Sequence, residues 1–433
     1  MKFGLGEIIL IFLIALILFG PTVIPWVQRW LRRCRVHAAQ QQRLRARREA
    51  EARCRRDAQL RYIQQVVLGV FGTALVVGAA YLLLRPAPVQ PQSYQSVSAG
   101  FTGTYAKNSV LDETEPLPLG SETAPVCVRW REGWLYAAVS GGRIVRVHED
   151  GTGLSLVLQT DGEITGFDFL PDGRLVLACV GGAAGGQNGL LLAAPDAWNG
   201  QLAVQTLLTQ AGGRALAFPT AVCAAADGTV YFAESCAVPA GEYGVKNAYV
   251  LALLAHGADG AVYACDPDTG TAEPVLTGLT FAAGLAVEPA GSGLYVSDAG
   301  TGTVWRVAAS ARAVEAGCRG SQAVLQGLPG RPAGLAAGDD GRLWVALSGP
   351  RGGWLDALGG VPRLRGAVMN LPAMTRNRLV LGGRTAVLAF DAAGNILENW
   401  QSTRLAAVTG VCETDTGVYL AHGAGGVLDR RRY

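Results

Sequence analysis

No two of the nine cysteines stand in a C-x-x-C pair, and the seven beyond residue 100 show no metal-ligand spacing. There is no G-x-S-x-G turn, no H-E-x-x-H helix and no phosphate-binding glycine loop. These absences exclude the zinc-ribbon, nucleophile-elbow, zincin and P-loop classes. Charge is scarce as well, at 16% of residues, and histidine occurs only four times. Seven of the cysteines (Cys127, Cys179, Cys223, Cys236, Cys265, Cys318 and Cys412) lie beyond residue 100, an odd number that cannot all pair within the chain. Most are expected to pack as small buried hydrophobes.

What is abundant is apolar residues, at 50%, and glycine, at 58 of 433 residues, a composition that suits an all-β domain with many tight turns. The net charge of +3 conceals an asymmetry. Between Trp26 and Arg61 there are 12 arginines against Glu49, Glu51 and Asp57, so everything after Arg61 is mildly acidic. That body carries no nucleic-acid footprint, and no nucleic-acid partner is expected.

Two apolar runs flank the arginines, residues 8–19 and 66–84, the second of 19 residues without a charge. The second is long enough to span a bilayer and the first is short. The basic residues follow the first run instead of preceding it, which argues against a secretory signal. Short arginine-rich loops stay cytoplasmic. The expectation is a two-helix transmembrane hairpin: a helix over 1–25, a cytoplasmic amphipathic segment over 26–62, a second helix over 63–85, a linker over 86–114, and a domain over 115–433 facing away from the cytoplasm. The N-terminus would then be outside, 27–61 inside, in a cell (plasma) membrane. Glycines 69, 72 and 78 are tolerated in lipid and allow close helix packing.

Beyond residue 115 a unit recurs: an apolar strand, a turn with glycine, and a second strand. It reads VCVRWREGWLY from Val126, GFDFLPDGRLV from Gly166, AVCAAADGTVY from Ala221, GLAVEPAGSGLY from Gly284, GLAAGDDGRLW from Gly334 and GVCETDTGVYL from Gly410. Each alternates apolar and polar residues about a turn, as a hairpin requires. Most are followed by two further strands, and four strands per unit at this spacing argue propeller blades. The fold expected is an all-β, six-bladed β-propeller, with a strand from 100–120 completing the last blade.

The first 35 residues, with FGLGEII from Phe3 and LFGP from Leu18, resemble the membrane anchor of the twin-arginine translocase TatA/TatB family. That resemblance implies a short membrane helix, a hinge at Gly20-Pro21, and a basic helix on the membrane surface. Residues about 115–430 resemble the strictosidine synthase-like propellers, relatives of the gluconolactonase and paraoxonase type. The segments that carry the likeness are TFAAGLAVEP from Thr280, DGTVYFAES from Asp227 and LWVALSGPRGGWLDAL from Leu343. The last implies a helical excursion over the propeller mouth; Trp354, Leu355, Leu358, Leu364 and Met369 fall there at helix-like intervals.

The resemblance also implies a central calcium held by one Glu, two Asn and one Asp. Those positions fall at Val126, Thr220, Ala283 and Asp298, so only Asp298 is retained and no metal or other cofactor is expected; calcium becomes possible if that register is shifted, with Glu122 the carboxylate nearest Val126. The base of true strictosidine synthases falls at Thr409, with Glu413 near the following turn. The remaining catalytic candidates are Asp298, Glu234 and Thr220, with Ser235 beside Glu234. His148 and His422 read as surface residues, and His256 as part of a loop insertion. The Gly-rich tract 181–189 reads as a long loop. Long loops at 181–200, 235–258 and 350–378 offer binding surface. Three functions follow: a membrane-tethered module binding a protein or small molecule at the mouth; an ester or lactone hydrolase with an altered centre; or an accessory of twin-arginine export.

Overall fold

A computed structural model describes residues 5–194, 203–288, 291–338 and 340–433. It divides into two compact units, residues 1–80 and 81–433.

The first unit is helical. One helix, α1, runs from Leu5 to Leu84 without a break. The expected hairpin is therefore not formed. The reason lies in residues 26–65, which contain no glycine, proline, asparagine or serine and are dominated by Arg, Ala, Gln, Leu and Glu. These are strong helix formers, and a reversal needs residues that leave the helical region. Nor does the chain turn at Gly20-Pro21, which lie within α1. Among the described residues, the stretch Arg43–Leu84 is long and apolar enough to cross a membrane. The side chains of the first apolar run lie outside the described residues.

The second unit is a ring of six antiparallel four-stranded sheets. Blade one has Cys127–Arg131 innermost, then Trp134–Val139, Arg143–His148 and Ser155–Gln159. Blade two runs from Glu163–Phe169 through Leu175–Ala183 and Gln187–Ala193 to Val204–Leu208. Blade three has Pro219–Ala224, Val230–Glu234, Gly260–Cys265 and Ala272–Leu279, with the short strand Val314–Glu315 added in parallel on its outer edge. Blade four has Ala282–Val287, Gly293–Asp298, Thr303–Ala308 and Ser321–Leu325. Blade five has Gly330–Ala337, Leu343–Pro350, Thr385–Phe390 and Ile396–Ser402. Blade six has Val408–Thr414, Gly417–His422 and Val427–Arg432, and its fourth strand is Glu115–Pro118. Glu115 pairs with Arg430 and Leu117 with Leu428, so the ring is closed by a strand from the start of the domain. All six hairpins read from the repeat are the first two strands of a blade.

Two of the long loops are helical. Residues 240–255 form α2 (Ala240–Tyr243) and α3 (Val245–Ala255). Residues 354–380 form α4 (Trp354–Ala357), α5 (Pro362–Met369) and α6 (Ala373–Val380). Leu251 and Leu254 of α3, with Ala248 and Val250, are fully buried. They share one apolar cluster with Leu355, Met369 and Val380 of the second insertion, and with Phe218 and Phe281, which lead into the inner strands of blades three and four. Linker residues Ala87 and Val89 pack against the same cluster. The mouth is thus covered by two helical layers. The Gly-rich tract is a tight hairpin, since its strands extend to Ala183 and resume at Gln187.

Candidate functional site

The inner strands approach so closely that a side chain does not fit between them. A Cβ at Gly166 would lie 2.3 Å from the carbonyl oxygen of Thr220 in the next blade. At Gly284 it would lie 2.2 Å from that of Ala333, and at Gly334 2.5 Å from that of Thr409. Hydroxyls bridge the inner strands of neighbouring blades as well. Thr165 donates to the Pro219 carbonyl at 2.8 Å, Thr220 to the Ala282 carbonyl at 3.0 Å, and Thr409 to the Val126 carbonyl at 2.9 Å. Ser297 donates to the Ala333 carbonyl at 2.5 Å. The channel left at the axis has a volume of about 40 Å³, room for about one water molecule.

Val126, Ala283 and Thr409 line this channel, together with Arg129. Asp298, Glu234 and Thr220 do not. Each of these three sits in its own hydrogen-bond network. Asp298 is 1% exposed and accepts three backbone N–H groups, from Thr280 at 3.2 Å, Phe281 at 2.9 Å and Gly300 at 3.1 Å. Glu234 is also buried; its Oε1 accepts the N–H groups of Ala217 at 2.6 Å and Phe218 at 3.0 Å, while its Oε2 has no hydrogen-bond partner among the described residues. Burial, opposed by those two donors, pushes the Glu234 carboxyl up to about 7. Ser235 donates to the Thr220 hydroxyl at 2.6 Å, and the Thr220 proton goes on to the Ala282 carbonyl.

Calcium requires six to eight oxygen ligands, largely carboxylates. Here the channel is lined by Val, Ala, Gly, Leu, Thr and Cys127, the threonine hydroxyls are committed to carbonyls, and the charged group present is the Arg129 cation. These residues do not fit the ion. Among the described residues, no three His, Cys, Asp or Glu side chains are placed to hold a metal.

Arg129 is a feature the sequence reading missed. Its Nε lies 3.4 Å from Asp168, its Nη2 donates to the Val222 carbonyl at 3.4 Å, and Asp168 accepts the Ala224 N–H at 3.0 Å. A single ion pair thereby joins blades one, two and three at the axis. The signal was present in VCVRW and GFDF, each with one charged residue at an inner-strand position.

The other candidates are structural too. Glu413 accepts the Trp344 indole N–H at 2.8 Å, and Glu122 pairs with Arg143 at 2.8 Å. His422 is buried rather than on the surface, because Asp429 on the adjacent strand meets its Nε2 at 2.8 Å. His148 is half-buried and stacks on Trp134. His256 follows α3 and stacks on Tyr94 of the linker at 3.4 Å. Burial and the nearby Arg351 and Arg365 guanidiniums push its imidazole down to about 4. Cys127, Cys179, Cys223, Cys236, Cys265 and Cys412 are buried free thiols.

The cap is held by Arg365, which is fully buried. Its guanidinium donates to the carbonyls of Leu254 at 2.6 Å, Leu358 and Gly359 at 3.2 Å, and Gln92. It stacks over the Tyr94 ring at 4.8 Å. One side chain therefore fixes α3, the α4–α5 turn and the linker together.

The closed ring defines a six-bladed β-propeller, and the sequence match identifies its family. Residues 125–354, more than half of the chain, match the model of the SMP-30/gluconolactonase/LRE-like region, and the chain belongs to that family. Residues 1–33 match the mttA/Hcf106 family. Adipocyte plasma membrane-associated protein of Bos taurus is 24% identical over 364 residues, covering 80% of this chain and 84% of that protein. Among solved structures, a gluconolactonase from Xanthomonas campestris has a TM-score of 0.50 at 18% identity, covering 80% of this chain and 98% of that one. A luciferin-regenerating enzyme has a TM-score of 0.51 at 13% identity, covering 73% and 94%. At these identities the solved structures share the fold.

Proposed function

We propose that this chain is a membrane-tethered binding module whose propeller is displayed on the extracytoplasmic side and whose central site has been turned over to structure. The observation that carries this reading is the state of the inherited ligand positions. Asp298 spends both oxygens on backbone N–H groups, Thr220 bridges two blades, and Val126 and Ala283 have no side-chain oxygen to offer. The residues 343–358 support a strictosidine synthase-like branch within the family. The arginine-rich part of α1, which favours the cytoplasmic side, and the name of the bovine relative support a plasma-membrane anchor. Thermal denaturation of the full-length protein in detergent, with excess calcium and then with chelator, tests the reading. The expected result is no change in Tm; a calcium-dependent rise overturns it.

One observation favours a second reading, an ester or lactone hydrolase. The Glu234 carboxyl has a free buried oxygen and titrates near neutrality, as a general base requires. Hydrolysis of aryl acetates that disappears in a folded Glu234→Gln variant would establish it. The likeness of residues 1–33 to mttA/Hcf106 proteins supports a role as accessory of twin-arginine export, which loss of export on deletion would reveal.

A further inference from the structure

Exposed apolar side chains are not spread evenly over the propeller. Beyond residue 84, ten large hydrophobic side chains are exposed among the described residues, and five of them (Trp354, Val361, Leu364, Met374 and Leu379) belong to the insertion that builds α4, α5 and α6. The other five are scattered from Val97 to Tyr433, and single exposed apolar residues need no explanation. The cluster does. The Trp354 indole N–H donates to the Leu379 carbonyl at 3.1 Å, which ties the exposed end of α4 to α6. Met374 and Arg378, four residues apart, lie on the side of α6 opposite its buried Arg376 and Val380. Leu364 points away from the buried Arg365, Gly366 and Met369 of α5.

The charge on this face has one sign. The acid of the insertion, Asp356, is turned inward, where it accepts the Gly352 N–H and the Tyr94 hydroxyl. The exposed charges are Arg363 and Arg378. The place of the insertion along the chain is also fixed. The last turn of α1, Tyr81–Leu84, belongs to the second unit and ends the stretch that is apolar enough to cross a membrane. The side-chain amide of Asn370, which follows α5, donates to the carbonyls of Leu82 at 3.3 Å and Arg85 at 3.0 Å. A Cβ at Gly366 of α5 would fall 3.3 Å from that of Ala87. Ala87 is three residues past Leu84, so the chain allows a separation of at most about 10 Å between them. The cap is thus pinned to the point where the apolar stretch ends.

We infer that the outer face of the cap is a lipid-contacting surface, seated on the phospholipid bilayer that the apolar end of α1 crosses. Trp354, Leu364, Met374 and Leu379 enter the headgroup and upper acyl region, where apolar and indole side chains are favoured. Arg363 and Arg378 meet lipid phosphates through charge-assisted hydrogen bonds. The occupant is lipid because the surface is continuous with the end of the span and carries no exposed acid. The inference rests on the membrane-tethered reading and adds a second, lateral contact to the tether.

The test uses the full-length protein in vesicles of phosphatidylcholine and phosphatidylglycerol. Cys34, Cys54 and Cys318 are replaced by serine, and an environment-sensitive fluorophore is attached to Leu364→Cys, Met374→Cys or, as the control, Leu397→Cys. Leu397 is exposed and sits where Ile396 pairs with Phe390, at the end of blade five away from the insertion, which leads into Thr385. Lipids carrying a nitroxide on the acyl chain should quench the labels at 364 and 374 roughly twofold or more and leave the label at 397 unchanged. Should one labelled variant fail to fold, the other decides alone. Quenching at 364 and 374 no greater than at 397 would overturn the inference. So would labels that are sheltered from water yet not quenched by lipid, since a second copy of the chain would then cover the face. Extraction with alkaline carbonate separates the two readings. Release of the protein sinks the membrane tether and this inference with it; retained protein with unquenched labels sinks the cap contact alone.

Discussion

Asp298 and Glu234 occupy the same position in successive blades: each ends the second strand of its blade, and each accepts the two backbone N–H groups that lead into the first strand of that blade. They differ in what the carboxylate has left. Asp298 gains a third donor from Gly300, whereas Glu234 keeps one oxygen buried and unpartnered.

Replacing Asp298 by Ala orphans three buried N–H groups and should cost about 2–4 kcal/mol, read as a loss of Tm in the full-length protein. Asp298→Asn, which retains one acceptor oxygen, should lose less. Both should be indifferent to calcium.

Glu234 should make stability depend on pH. Its folded pKa of about 7 lies above the ordinary value of 4.5, so the folded state holds a proton that the unfolded chain has released. The stabilisation is complete below about pH 4.5, falls as pH rises through about 7, and is absent above. Relative to Glu234→Gln, which stays neutral and still accepts both N–H groups, the native protein should lose up to about 3 kcal/mol across that window. Melts of both proteins between pH 4.5 and 8 check this; parallel curves would refute it.

Gly284→Ala places a methyl against the Ala333 carbonyl of the next blade, and should destabilise the ring by about 1–3 kcal/mol or more. Gly228→Ala is the contrast: there a Cβ meets no atom within 4 Å, but φ is +90°, so its cost of about 1–2 kcal/mol is backbone strain. Melting curves of the two variants, combined in a double mutant, should add.

Arg365→Lys keeps the charge but cannot span the same set of carbonyls. It should loosen the linker at Gln92 more than it lowers Tm, and limited proteolysis near residue 92 should accelerate while the propeller fragment survives.

The blades were legible because their signals are local. Alternation about a D-G turn needs only a dozen consecutive residues, as in GFDFLPDGRLV, and the ring glycines stand at one fixed place in four of the six repeats. The anchor was half legible: its apolar runs show in composition, but whether the arginines between them form a loop or continue a helix depends on helix-breaking residues that are missing. The cap was read as loops in part because VLALLA of α3 is apolar on every side, a pattern that helix and buried strand share. The burial of His422 and the clamp of Arg365 were not legible at all. Each depends on partners that the fold alone brings near; Gln92 lies 273 residues from Arg365.

The closing strand Glu115–Pro118 has an implication for the order in which the protein is made. It is synthesised before any blade, yet among the described residues its one partner strand is Val427–Arg432. Until that strand emerges, the ring is an open crescent with unpaired edges at both ends, a form prone to joining other chains. A nascent chain halted before residue 427 is therefore left as an aggregation hazard rather than a smaller propeller, and quality control acting on this protein has its decisive checkpoint in the last strand to arrive.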